Sequence, residues 1–244
     1  MARDPSGKIR VAASADLHCR EDDHGRFRNF VKHVNSVADV LLLCGDLTDR
    51  GTTEEARTLA DELSGLRIPC AAVLGNHDCD HGLTKEITEL LAKVNVKILD
   101  GDRYVFEKVL GVAGIKGFAG GFENATLQAF GEPQIKAFVQ ESVSESLKLE
   151  AALGQLTTPK KVVIMHYVPI VGTTVGEIPE IRPFLGTSRL CGPINRYGAD
   201  AIFHGHAHHG SLQGKTDKGI PVYNVAMPLL KQHTPEQRFA LVEI

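Results

Sequence analysis

The chain has 244 residues, of which 43% are hydrophobic and 23% charged, and its formal net charge is −3. A chain of this length and apolar content buries a sizeable core, so it needs neither disulfides nor a structural metal for stability. Because acidic and basic residues nearly balance, the chain as a whole has no positive potential that would attract polyanions. A nucleic-acid partner is therefore not favoured.

We expect neither membrane insertion nor export. No apolar run approaches the ~20 residues that span a bilayer, and residues 1–10 lack the apolar segment of a signal peptide. The five cysteines are odd in number and form no C-x-x-C pair, which argues against a disulfide framework or a zinc knuckle. We expect a cytoplasmic chain. With no linker or internal repeat, we expect one domain over residues 1–244.

The first hundred residues alternate short apolar runs with amphipathic stretches. This alternation predicts an α/β sheet with functional loops at the carboxyl ends of its strands. The pattern places Asp16, Asp46 and Asn76 at one edge of one sheet. Strands are predicted at residues 9–13, 40–43 and 71–74, and helices at residues 26–37, 53–63 and 84–94.

The remainder of the chain changes character. The glycine-rich residues 117–121 indicate a sharp turn and not a phosphate loop, because the G-x-x-x-x-G-K-[ST] pattern is absent. Residues 167–190 contain three prolines and predict a long irregular excursion that contributes to substrate choice. An antiparallel pair is predicted at 104–107 and 109–115, a helix at 133–153, and strands at 162–165, 201–203, 222–225 and 239–242.

Polar side chains follow five of the predicted strands. Each group alone has an ordinary explanation, such as a helix cap, a turn or a packed histidine. Together they supply carboxylate, imidazole and amide donors, a ligand set that suits a divalent transition metal and lacks the thiolates of structural zinc. The groups are Asp16-Leu17-His18, Gly45-Asp46-Leu47-Thr48-Asp49, Gly75-Asn76-His77-Asp78, His166 and Gly205-His206-Ala207-His208.

At these residues the chain resembles the calcineurin-like metallophosphoesterase superfamily, with all five groups in family order between residue 9 and about residue 208. The resemblance implies a four-layer α/β/β/α sandwich, in which two mixed sheets are flanked by helices. It implies a catalytic histidine, His77, oriented by Asp78. It also implies one metal held by Asp16, His18, Asp46 and His208, and a second held by Asp46, Asn76, His166 and His206.

The implied activity is hydrolysis of a small phosphomonoester or phosphodiester, which includes nucleotides. Two divalent cations acidify a water molecule and neutralise charge in an in-line displacement. We expect Mn²⁺, with Fe, Zn or Ni as alternatives. The alternative functions are a nuclease, a protein phosphatase and a non-enzymatic scaffold. Protein phosphatases have Glu where this chain has Asp78, and a scaffold is disfavoured because all seven ligands are present. The oligomeric state is not predicted.

Other polar residues near these groups have open roles. Asp49 is expected to orient a ligand or a loop. Arg182 and Arg189 in the excursion are either phosphate clamps or surface charges, and His204 and His209 either line the pocket or pack.

Overall fold

Eleven strands form two sheets in the computed structural model, which describes residues 8–236 and 238–244. Residues 1–7, on which part of the expectation about a signal peptide rests, lie outside the described residues. The first sheet has the order β11-β1-β2-β3-β4, from Ala240–Glu243, Arg10–Ser14, Val40–Cys44, Cys70–Val73 and Val96–Ile98. The second has the order β5-β6-β7-β8-β10-β9, from Asp102–Phe106, Leu110–Ile115, Lys160–Met165, Ala201–His204, Pro221–Asn224 and Gln213–Lys215.

Helices cover the outer face of each sheet. Three helices pack on the first sheet: α1 (Arg28–Val37), α2 (Thr53–Leu63) and α3 (Thr84–Ala92). Two pack on the second: α4 (Pro133–Gly154) and α6 (Cys191–Tyr197). The short helices α5 (Arg182–Leu185) and α7 (Met227–His233) complete the set among the described residues. The layers are therefore α/β/β/α, and the predicted fold class is confirmed.

The core between the sheets follows from the two-residue period of a strand. In β2, Leu42 points toward the second sheet, whereas Leu41 and Leu43 point toward the helices, and all three are fully buried. Val112 and Ile164 of the second sheet complete the inner layer. Both faces of each central strand are buried, which explains why the sequence shows continuous apolar runs here.

Parallel strands lie at the centre of both sheets. Strands β1, β2 and β3 run parallel in the first sheet, and β6, β7 and β8 run parallel in the second. The predicted antiparallel pair is confirmed as β5 and β6. The loops that carry the polar groups therefore leave each sheet at the carboxyl ends of neighbouring strands.

Long elements agree with the sequence patterns, and short ones account for the differences. Helix α2 has the predicted bounds, and a capping box between Thr52 and Glu55 begins it. Strands β4 and β9 have three residues each, too few to show a period, and α6 begins with Cys-Gly-Pro, which has weak helix propensity. The excursion is less irregular than predicted, because it contains α5 and several single turns. Within the described residues, no helix is long and apolar enough to cross a bilayer.

Candidate metal centre

The predicted ligands meet where the carboxyl ends of the two sheets face each other. Asp16 follows β1 and Asp46 follows β2 in the first sheet. His166 and His206 follow β7 and β8 in the second. Backbone hydrogen bonds join the loops within each sheet: Asp16 N–H donates to the Gly45 carbonyl (3.0 Å), and Gly205 N–H donates to the His166 carbonyl (3.2 Å). The structure therefore brings ligand candidates from both sheets together.

One cluster is built on Asp16, whose carboxylate is buried. Ligand atoms of Asp16, His18 and His208 all lie within 4.8 Å of one another. The Nε2 atom of His208 lies 2.9 Å from Asp16 Oδ1, and the His206 backbone N–H donates to Asp16 Oδ2 at 3.0 Å. The loops that follow β1 and β8 are thus held together through one carboxylate.

A second cluster surrounds His166, which is fully buried. Its Nδ1 lies 3.0 Å from the Cys44 carbonyl, which can only accept, so Nδ1 keeps its hydrogen and Nε2 is the nitrogen that can bind a metal once it is deprotonated. Three further electron-pair donors lie around Nε2: Asn76 Oδ1 at 2.9 Å, His206 Nδ1 at 3.1 Å and Asp46 Oδ2 at 3.4 Å. Four electron-pair donors converge on one point, which is the arrangement that a cation satisfies.

The donor set fits divalent metal ions. Both ring nitrogens of His18 are buried and have no hydrogen-bond partner, a costly state unless a ligand occupies them. The carboxylate of Asp46 faces both clusters, with Oδ2 lying 3.4 Å from His166 Nε2 and 4.0 Å from His18 Nε2. Carboxylate, imidazole and amide oxygen are donors for Mn, Fe or Zn. Seven residues could therefore hold metal: Asp16, His18, Asp46, Asn76, His166, His206 and His208.

The electrostatics of the protein alone show strong competition for positive charge. Burial disfavours an ionised Asp46, but His166 outweighs it and lowers the carboxyl pKa. Burial likewise disfavours a charged His166, but Asp46 and Asp16 outweigh it and raise its pKa to about 9. For His206, burial and the neighbouring His166 lower the pKa to about 3. The buried carboxylates therefore favour protonated histidines in the metal-free protein, and a metal cation competes with those protons.

Backbone strain coincides with the candidate ligands. Asp16, His18, Asp46 and His206 have φ angles of 55°, 43°, 48° and 71°, in the left-handed region that L residues rarely adopt. Each such residue costs about 1 to 2 kcal/mol relative to an ordinary conformation. Strain of this kind persists where surrounding structure imposes it and is concentrated at functional sites.

Glycines precede three of the ligand groups because the backbone there approaches another ligand. A Cβ atom on Gly75 would lie 2.1 Å from Asp46 Oδ1, and one on Gly205 would lie 2.4 Å from Asp16 Oδ2. A Cβ atom on Gly45 would lie 2.6 Å from the His166 side chain. The glycine in each group therefore provides space for a carboxylate or imidazole from a different strand.

His77 lies at the open side of the centre, with 39% of its side chain exposed. Its Nδ1 lies 2.6 Å from the Asp49 backbone carbonyl and carries the hydrogen of that bond, since a carbonyl only accepts. Its Nε2 then points toward the centre, 4.0 Å from Asp46 Oδ2. Asp49 thus orients the His77 ring through its main chain, while its carboxylate lies 3.6 Å from His18 Nδ1.

The expected role of Asp78 is wrong, because its carboxylate does not contact the His77 ring. Asp78 is fully buried and accepts hydrogen bonds from the backbone N–H groups of Leu47, Thr48 and Gly75 and from the Thr48 hydroxyl. Burial and the Asp46 charge raise the pKa of Asp78, while these hydrogen bonds lower it. Asp78 joins the loops after β2 and β3 and is a positioning residue.

Replacing Asp78 with alanine is expected to reduce the free energy of unfolding by about 3 kcal/mol, because it leaves several buried N–H donors unpaired. Urea unfolding of the metal-free protein measures the change. The matched control is Asp80→Ala, two residues away and exposed, which we expect to change stability by less than about 0.5 kcal/mol. Equal stability of the two variants would contradict the structural role of Asp78.

Several residues with open roles are used within the structure. His204 is fully buried between the Gly205 carbonyl and the Thr173 hydroxyl, and burial lowers its pKa to about 4, so it packs as a neutral histidine. Arg189 donates to the Leu127 carbonyl at 2.6 Å. Sequence reasoning missed Lys116 and Tyr167, which lie beside the centre. A lone lysine between a strand and a glycine carries no recognisable pattern.

Known proteins similar to this chain are phosphoesterases. A family model described as calcineurin-like phosphoesterase matches residues 9–210. The chain is 25% identical over 228 residues to the "probable glycerophosphodiester phosphodiesterase GpdQ" of Arcobacter nitrofigilis, covering 88% of this chain and 76% of that protein. It is 23% identical over 217 residues to a "probable cyclic nucleotide phosphodiesterase" of a Synechococcus species, covering 85% and 76%.

The fold is also found in a solved structure. The phosphopantetheinyl hydrolase of Mycobacterium tuberculosis has a TM-score of 0.69 at 18% identity, covering 95% of each chain. Fold, donor set and family model together define a metal-dependent hydrolase. The chain belongs to the calcineurin-like phosphoesterase family, since the model spans most of its length. The resemblance drawn from the motifs is thus confirmed.

Proposed function

We propose that this enzyme hydrolyses a small phosphodiester or phosphomonoester with two divalent cations bound at the metal centre. The observation that carries the proposal is the convergence of four electron-pair donors around His166 Nε2, next to the cluster built on Asp16. The names of the two curated relatives, both phosphodiesterases, favour a diester. A single domain over residues 1–244 is part of the proposal, because the ligands come from both sheets.

The proposed ligand sets share Asp46. Asp16, His18, Asp46 and His208 would hold one cation, and Asp46, Asn76, His166 and His206 the other. When bound, two divalent cations acidify a water molecule and neutralise phosphate oxygens during an in-line displacement. Asp16 and Asp46 contribute only two negative charges against four positive ones. The centre therefore keeps a positive surplus that attracts an anionic phosphate.

His77 is the proposed general acid. The Asp49 carbonyl holds Nδ1, so Nε2 carries the proton that moves when the ring is an imidazolium. That proton passes from Nε2 to the leaving alkoxide, because an alkoxide is a poor leaving group without protonation. The exposed face of His77 is the side from which a substrate reaches the centre.

A metal-reconstituted activity screen tests the proposal. The protein is stripped with a chelator, reloaded with Mn²⁺, and assayed with glycerophosphodiesters, cyclic nucleotides, mononucleotides, phosphopeptides and oligonucleotides. We expect hydrolysis of small phosphoesters that disappears with chelator and returns with Mn²⁺. No hydrolysis of any phosphoester would overturn the proposal. Preferential cleavage of oligonucleotides with steep salt dependence would indicate the nuclease alternative.

Metal uptake is expected to release protons. His166 has a pKa of about 9 in the metal-free protein, so near neutral pH it must lose a proton to become a ligand. Metal affinity should therefore rise with pH up to about 9 and weaken below it. Titration calorimetry in two buffers of different ionisation enthalpy counts the protons. The control is His33→Ala, which removes an exposed histidine and should release the same number of protons as the wild type. Metal uptake without proton release would contradict the role of His166 as a ligand.

A further inference from the structure

Lys116 lies at the same sheet edge as the metal centre, directly after β6. Its backbone carbonyl accepts hydrogen bonds from the N–H groups of His166 at 3.0 Å and Tyr167 at 3.2 Å. Its position is therefore fixed relative to the centre. A lysine ammonium has three donors and no acceptor, so Lys116 contributes a positive charge here and not a metal ligand.

The ammonium of Lys116 is held but not neutralised. Its Nζ lies 5.2 Å from the centroid of the Phe118 ring and 5.4 Å from that of Tyr167, and it donates to the Gly117 carbonyl at 3.0 Å. In the described part of the chain, no carboxylate forms an ion pair with it. Two of its donors are thus free for an anionic ligand.

Tyr167 separates Lys116 from the metal centre by a single ring. The centroid of that ring lies 4.6 Å from that of His206 and 5.6 Å from that of His166. Among residues 8–236 and 238–244, nothing hydrogen-bonds the Tyr167 hydroxyl. The Lys116 ammonium therefore lies one aromatic ring away from the histidines of the centre.

A pocket of about 500 Å³ adjoins Lys116. Leu74, Ile98 and Leu99 supply its apolar lining. Glu89 and Glu141 also line it, are exposed, and have no partner among the described residues, whereas Lys148 is paired with Asp100 and Glu145. Lys85 also lines the pocket, is exposed and has no ion-pair partner among the described residues, so the whole lining carries four carboxylates and three lysines between its apolar walls.

We propose that Lys116 binds an oxygen of the substrate phosphate and that this pocket, here called the Lys116 pocket, holds the alcohol that stays on phosphorus. The inference rests on the proposed phosphodiesterase function. Because four carboxylates and only three lysines line the pocket, it selects an alcohol that is neutral or cationic. A further phosphate on that alcohol meets repulsion from Glu89 and Glu141.

The first test replaces Lys116 with methionine, which keeps an unbranched stem over the two rings and removes the charge. With p-nitrophenyl phosphorylcholine as substrate, we expect KM to rise about ten- to hundredfold and kcat to change by less than about threefold. Metal content and Tm should stay unchanged, and Lys116→Arg should restore most of the affinity. An unchanged KM, or a loss of Tm or metal that arginine does not rescue, would overturn the role.

The second test compares thymidine 5′-(p-nitrophenyl phosphate) with and without a 3′-phosphate. We expect the substrate with the 3′-phosphate to have the higher KM. Glu141→Gln should reduce the difference in KM between the two substrates. Glu86→Gln is the control, because it removes one negative charge from the same region of the surface but outside the pocket. It should leave the difference in KM unchanged. Equal KM values for both substrates would overturn the charge selection.

Failure of the proposed hydrolase function and failure of the proposed Lys116 pocket give different experimental results. If the metal-loaded wild type hydrolyses no p-nitrophenyl ester, the proposed function fails. Calorimetric titration with phosphorylcholine still tests the Lys116 pocket: binding by wild type that Lys116→Met weakens supports it, and no binding by wild type overturns it.

Discussion

His77→Ala is expected to lower kcat by about 10² to 10⁴-fold while leaving the metal content unchanged. The variant removes a proton donor whose nitrogen faces the centre, and it removes none of the seven proposed ligands. The loss should be larger for an alkyl ester than for a p-nitrophenyl ester, because an acidic phenol leaves without protonation. Steady-state kinetics on both esters, with metal analysis of the same samples, measures this effect.

His81→Ala is the matched control for this variant. His81 belongs to the same loop and its Nδ1 also lies against a backbone carbonyl, that of Arg50, at 2.7 Å. It is exposed and lies outside the metal clusters, so its loss should leave kcat within about twofold. If His77→Ala lost its metals, or if both esters slowed equally, His77 would not be the general acid.

Asp46→Asn is expected to abolish activity and to reduce bound metal from two ions per chain to less than one. One carboxylate faces both clusters and carries half of the negative charge of the site. An amide keeps the size but removes the charge that balances the cations. Metal analysis after gel filtration, together with activity assays, measures the result.

Asp61→Asn serves as the control, since Asp61 is an exposed carboxylate of α2 far from the ligand groups. Circular dichroism and urea unfolding of both variants exclude a general loss of structure. Two tightly bound ions in folded Asp46→Asn would show that Asp46 does not bridge the two cations, whatever its effect on turnover.

The long elements and the convergence of the first three ligand groups could be predicted from the sequence. Apolar runs that end in a polar residue defined β1, β2 and β3, and adjacent parallel strands necessarily bring Asp16, Asp46 and Asn76 to one edge. The meeting of these residues with His166 and His206 depends on the packing of two sheets. That arrangement was implied by the family resemblance and not by periodicity.

The functional details that the sequence did not predict depend on tertiary contacts. The position of Asp78 next to His77 in the chain suggested a contact, but a tight turn directs the carboxylate toward backbone N–H groups of another loop. The orienting acceptor is instead a main-chain carbonyl of Asp49, which any residue type would supply. Lys116 lies near the centre because β6 pairs with β7, a pairing between distant segments.

The proposed ligands come from both sheets, so metal binding is expected to be coupled to the packing of one sheet against the other. Ions held by these residues would contact both sheets, so we expect each bound ion to raise the free energy needed to separate them. Loosening the shared apolar layer, for example with Leu110→Ala at the amino end of β6, the opposite end of the strands from the ligand groups, should then weaken metal retention as well as folding. The holoprotein should tolerate such softening better than the apoprotein does.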